Sequence, residues 1–181
     1  MESCAITGHR PNRFKWKYQE DSAACKRLKK RLKDQFMLLY RQGVRRYYAG
    51  GALGVDMWAS EILLTLKAQP EFRNLELFIV IPFEGYDNCW DARNQLRMAV
   101  IRQEATDVIT IRSDDPFSPS KNYRRRNQYM VNRSDCLLAV YDNDRSIRSG
   151  TGMTVHYAEQ KRLPIILIHP DTAVVSQLSA Q

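Results

Sequence analysis

The stretch Tyr48-Ala49-Gly50-Gly51-Ala52-Leu53-Gly54-Val55-Asp56 reads as the end of a β-strand, a glycine-rich turn and the first turn of a helix. Glycine lets the backbone turn with positive φ and approach a ligand without a Cβ in the way. The amides opening the next helix then face that ligand, where an anion is stabilised. The turn is neither the G-x-x-x-x-G-K-[ST] phosphate loop nor the G-x-G-x-x-G dinucleotide fingerprint. Asp56 stabilises the helix dipole and would repel a phosphate set directly on that turn. It is therefore expected to fix the loop or meet a ribose hydroxyl, with the phosphate held elsewhere.

Outward from this unit, strand-like and helix-like segments alternate with short connections. Strands are expected at residues 3–7, 46–49, 75–81, 107–111, 136–141 and 165–168. Helices are expected at 21–42, 55–67, 89–103, 122–133 and 152–162, with a proline-containing loop at 113–120. Residues 77–81 are continuously apolar, as suits a strand covered on both faces. The pattern predicts an α/β fold: a doubly wound, mainly parallel, Rossmann-like sheet of about six strands with helices on both faces. A chain of 181 residues suits one domain spanning 1–181, with a flexible tail after about residue 171.

Ligands of such sheets lie at the carboxyl ends of the strands, where strand order reverses. Seven of the eight glycines fall in or beside those loops, Gly43 being the exception, so the loops are where a site is expected. Ser149-Gly150-Thr151-Gly152-Met153-Thr154 offers amides and hydroxyls without an acid and makes the better phosphate cradle. Its plainer use is a helix cap by Ser149 or Thr151. Arg124-Arg125-Arg126-Asn127 enters a helix, and at most one or two of the arginines can point into a cleft. Thr7-Gly8-His9-Arg10-Pro11 adds a small residue and two phosphate donors. The ligand-binding positions so read are Thr7, Gly8, His9 and Arg10; Gly50, Gly51, Gly54 and Asp56; Arg126 and Asn127; and Ser149, Gly150, Thr151, Gly152 and Thr154. Trp58 is a candidate stacking wall, although its stripe Val55–Ala59–Ile62 is typical of core.

The formal charge of +8 favours an anionic partner: a nucleotide, nucleic acid or an acidic surface. The lysines and arginines at residues 26–33 read instead as a solvated helix face. Four scattered cysteines without a C-x-x-C pair suggest neither a zinc site nor a disulfide framework, and no metal is expected. No apolar run reaches the ~18 residues of a membrane span, and the first strand leaves no room for a signal peptide. A cytoplasmic protein without membrane contact is expected.

T-G-H-R-P at Thr7, G-G-A-L-G-V-D-M-W-A at Gly50, I-P-F at Ile81 and R-N-Q-Y-M-V-N-R-S-D-C-L-L-A-V-Y-D at Arg126 occur in order, followed by S-G-T-G at Ser149. Together they resemble the SLOG superfamily, most closely its YpsA-like branch, over nearly the whole chain. G-G-A-L-G-V-D and R-N are similar to the DNA-processing protein A family, whose resemblance implies binding of single-stranded DNA. The spacing of Arg126, Met130 and Ser134-Asp135 resembles the Lonely Guy family, which hydrolyses nucleoside monophosphates with an arginine matched here by Arg126. That family's catalytic glutamate falls on His156, which leaves a glycosidase without its carboxylate. Asp56 and Glu84 are the acids that could replace it, and no catalytic residue is assigned. The resemblance implies a sensor or regulator that binds a nucleotide-like molecule: ADP-ribose, NAD or a nucleoside monophosphate. Single-stranded nucleic acid, with Tyr123 and Tyr129 for stacking, is the alternative partner, and a homodimer stays open.

Overall fold

Apolar residues at nearly every position of the central strands require cover on both faces, and the structure supplies it. The computed structural model describes residues 1–111 and 118–178. The loop expected at 113–120 therefore lies largely outside the described residues. The strands are β1 (Ser3–Gly8), β2 (Arg46–Ala49), β3 (Glu76–Ile81), β4 (Asp107–Thr110), β5 (Cys136–Val140), β6 (Ile165–Ile168) and β7 (Val175–Leu178). The helices are α1 (Ala23–Arg41), α2 (Val55–Lys67), α3 (Ala92–Glu104), α4 (Pro119–Asn132) and α5 (Gly150–Gln160). The sheet order is β4-β3-β2-β1-β5-β6-β7. All neighbours are parallel except β6 and β7.

The doubly wound α/β architecture is as expected, with one more strand than the sequence suggested. Past Asp171, where a tail was expected, the chain turns back and β7 pairs antiparallel with β6 along Ile165–Ile168.

Alternation along each strand divides the core in two. Ile6, Tyr47, Leu77, Ile79 and Leu138 face α1, α2 and α3. Ala5, Tyr48, Val80, Leu137 and Ala139 face α4 and α5, meeting Met130, Val131, Val155 and Ala158. The amphipathic α1 buries Cys25, Leu28, Leu32, Phe36 and Leu39 on one stripe, with Ser22 accepting the Cys25 amide as its cap. Trp58 is buried in this core beside Phe14, so it is no ligand wall. The chain winds outward from β1 to β4, then returns to the other side of β1 as β5. Strand order therefore reverses at β1, and a crevice opens at the carboxyl ends of β1, β2 and β5.

One ionic cluster ties the first helical layer together. On α3, Arg97 hydrogen-bonds Glu61 of α2 and Glu20 of the segment before α1, and Lys29 joins Glu20 at 2.6 Å. Lys29 also lies over the Trp58 ring, so it is not merely on a solvated face. Burial alone would raise the Glu20 pKa, but the hydrogen bonds from Arg97 and Lys29 outweigh it and hold it at about 2. A depressed carboxylate contributes stability above its unfolded pKa and loses it as pH falls through the folded one. Glu20→Gln should therefore lower the melting temperature at neutral pH. The difference from wild type should shrink between about pH 4.5 and pH 2. Thermal melts across that window check this, and a constant difference would contradict it.

Candidate functional site

The two glycine-rich loops differ in what they leave free. At the first, the Ala52 and Val55 amides are taken by the protein itself. Gly54 caps α2 with φ 88°, the Val55 amide reaches the His9 carbonyl, and the Ala52 amide donates to Asp56 Oδ2. Arg126 enters from α4, donates from Nη1 to the Gly50 carbonyl and lies 3.7 Å from Asp56. Tyr86 donates its hydroxyl to the Gly51 carbonyl at 2.7 Å. Burial pushes the Asp56 carboxyl above its ordinary value although Arg126 pulls it down, and burial likewise lowers Arg126 although Asp56 opposes it. Asp56 thus does fix the loop, the first of its two expected roles.

At the second loop the helix end stays open. Ser149 caps α5 by accepting the Gly152 amide at 3.0 Å. Asn127 of α4 donates to Thr154, whose hydroxyl donates to the Gly150 carbonyl. This relay pins the position of Gly150. The Gly150 and Thr151 amides belong to the first helical turn, which has no intrahelical acceptor. A Cβ built on Gly150 would meet nothing within 4 Å.

Between these loops lies a cleft of about 190 Å³. Thr7, Gly8, His9 and Arg10 form one wall, and Ser149, Gly150 and Thr151 form another. Asp56, Arg126 and Asn127 line it as well, with Tyr123, expected from the sequence as a stacking ring, and with Ala52, Asn12 and Arg13, which were not foreseen. Five expected positions lie behind the lining. Gly50 and Gly51 turn their carbonyls to Arg126 and Tyr86, and Gly54 packs on the His9 carbonyl. Gly152 serves the Ser149 cap, and Thr154 serves the relay. None of the five lines this cleft, and each supports it, while Ala52 lines it where Gly51 does not.

His9 is 2% exposed, and its Nε2 has no hydrogen-bond partner. Asp142 Oδ1 is 3.8 Å away, and Phe14 and Tyr141 meet the ring edge-on. Burial, reinforced by Arg13, lowers the His9 pKa against the pull of Asp142, which favours the neutral ring. His156, at the position of the glycosidase glutamate, does not line this cleft. It is exposed on α5 beside Gln160 and 3.5 Å from Glu159. Glu84 accepts from Thr110 at the end of β4 and does not line the cleft. Among the described residues, no group of three metal-ligating side chains occurs, and no helix is long and apolar enough to cross a membrane.

Comparison with solved structures places this architecture beside DNA processing protein A. The Streptococcus pneumoniae structure superposes with a TM-score of 0.61 at 16% identity, covering 93% of this chain and 50% of that one. A structure from Helicobacter pylori, solved for its single-stranded DNA binding mode, gives 0.57 at 18%, covering 92% and 64%. This chain thus spans about half to two thirds of those proteins' length. Among sequences, it is 27% identical over 173 residues to the UPF0398 protein YpsA of Bacillus subtilis, covering 94% of each. A UPF0398 protein of Shouchella clausii is 28% identical over 145 residues, covering 80% of this chain and 76% of its own. The model of the YspA SLOG family matches residues 4–173, and the chain belongs to that family.

Proposed function

We propose that the cleft binds the phosphate of a nucleotide-derived small molecule, of ADP-ribose, NAD or nucleoside monophosphate type, and that the protein acts as a sensor or regulator. One arrangement carries this reading. The open first turn of α5 and residues 7–10 line one cleft at the strand-order switch, and its lining acid, Asp56, is already tied to Arg126. Arg10 and Arg13 add positive charge at the rim.

Gly150 supplies the test. Gly150→Ala adds a methyl that meets no protein atom within 4 Å and should weaken binding of AMP or ADP-ribose less than a carboxylate there does. Gly150→Asp sets a carboxylate at the same helix end, where it suits the dipole and competes with phosphate. It should keep the fold and lose roughly 1.5–3 kcal/mol of binding, the range for hydrogen bonds to a charged group. Calorimetric titration of both variants checks this; equal binding by the two would contradict the placement.

Catalysis is not part of the proposal, because Asp56, the acid within the cleft, is engaged by Arg126 and the Ala52 amide. Incubation with AMP should release no adenine, as chromatography would show. Turnover of about 1 s⁻¹ or faster would instead mark an enzyme.

A second reading rests on the likeness to the H. pylori protein and on the +8 charge: a single strand lying across the same cleft. In either case the ligand is anionic and the walls are the same.

A further inference from the structure

The cleft of about 190 Å³ is smaller than the ~300 Å³ at which small-molecule sites usually begin. A nucleotide seated there must extend into a neighbouring recess. Two recesses adjoin it. One, of about 610 Å³, lies between α4 and α5; Arg10 and Tyr123 border it too, and of its other lining residues Tyr157 alone carries a phenol or indole ring. The other, of about 150 Å³, shares Arg10, Asn12, Ala52 and Tyr123 with the cleft and is walled by Tyr18, Tyr86 and Trp90.

The geometry points to the smaller recess as the seat of the ligand's base. This inference rests on the phosphate reading above and extends it from a phosphate to a base-bearing ligand. Four aromatic side chains surround a volume too small for a whole nucleotide. Every base has a π-face that stacks on such rings, and a sugar phosphate has none. Three of the rings make contacts that hold them. Tyr86 is fixed by its bond to the Gly51 carbonyl, and Trp90 stands edge-on to it, with centroids 5.5 Å apart and planes at 87°. The guanidinium of Arg10 lies 5.3 Å from the Tyr123 ring, at the boundary between cleft and recess. That places a cation where the sugar and phosphate of a bound nucleotide would join. Among the described residues, no acid lines the recess.

Trp90 also provides a signal of its own. Of the three tryptophans, Trp16 and Trp58 are buried in the core, and Trp90 lines the recess. AMP should quench tryptophan fluorescence in the wild type, whereas ribose 5-phosphate should bind without quenching. Trp90→Leu should weaken AMP roughly 5- to 150-fold, the range for loss of one stacked base, and leave ribose 5-phosphate unchanged. Tyr18→Ala, at a side chain 64% exposed, should weaken AMP with no effect on folding, which guards against a misfolded Trp90 variant. If Tyr157→Leu, in the larger recess, lowers AMP affinity while Trp90→Leu and Tyr18→Ala do not, the base lies between α4 and α5 and the inference is overturned. Equal binding of AMP and ribose 5-phosphate to every protein would also overturn it, with the phosphate reading intact. Binding of neither compound would remove both.

Discussion

Arg126→Ala should destabilise the protein by about 3–5 kcal/mol, the range for removing one partner of a buried ion pair. The side chain was expected from the sequence to bind a ligand. In the structure it is buried and lines the cleft, but its Nη1 is spent on the Gly50 carbonyl, and Asp56 lies 3.7 Å away. Its removal strands a buried carboxylate and a buried carbonyl together. The deficit should shrink as pH falls, because a protonated Asp56 needs no cation and burial already pushes its pKa up. Arg126→Met combined with Asp56→Asn should recover much of the loss, since the pair then leaves no charge behind. Denaturant unfolding at several pH values reads both effects. A loss under about 1 kcal/mol that did not vary with pH would show the pair to be solvated.

Gly54→Ala carries the second large effect. With φ 88° and ψ −129°, Gly54 sits where a side chain is strained by about 1–3 kcal/mol on backbone grounds alone. A Cβ there would lie 2.6 Å from the His9 carbonyl and 3.1 Å from the Arg10 Cα. Both neighbours are backbone and cannot rotate away. Either the T-G-H-R loop or the start of α2 must shift, so the loss should exceed the strain figure and ligand binding should fall with it. Gly150→Ala is the matched control, the same added methyl in open space. Thermal melts of the two variants side by side give the contrast. Equal melting temperatures would refute it.

The strands and helices were largely legible because their apolar periodicity is strong. β2, α2 and β6 begin and end where the pattern places them. The helix expected from residue 89 starts at Ala92, because Asp91 caps it by accepting the Asn94 amide. β7 escaped notice because Val-Ser-Gln-Leu is half polar, as an edge strand with two exposed positions can be. The loops that build the cleft were equally legible, since a parallel sheet dictates which turns share an edge. The division of glycines into lining and scaffold was not. It depends on Tyr86 and Arg126, which reach the first loop from 35 and 76 residues away. The aromatic recess was missed for a similar reason. Its one local signal is the concentration of Phe83, Tyr86 and Trp90 after β3, while Tyr18 and Tyr123 arrive from other segments.

The central claim is that fixed amides at the start of α5, more than diffuse positive charge, hold the ligand. Titration of the wild type with ADP-ribose, AMP and a short single-stranded oligonucleotide at two salt concentrations tests it most directly. Lys33→Ala, on the exposed face of α1, serves as the control for diffuse charge. The account predicts nucleotide binding that changes little with salt and is unaffected by Lys33→Ala. It predicts weak oligonucleotide binding that falls with a log–log slope of about −0.7 for each phosphate neutralised. Tight oligonucleotide binding that survives raised salt, beside no measurable binding of either nucleotide, would contradict it and make the cleft part of a single-stranded DNA surface.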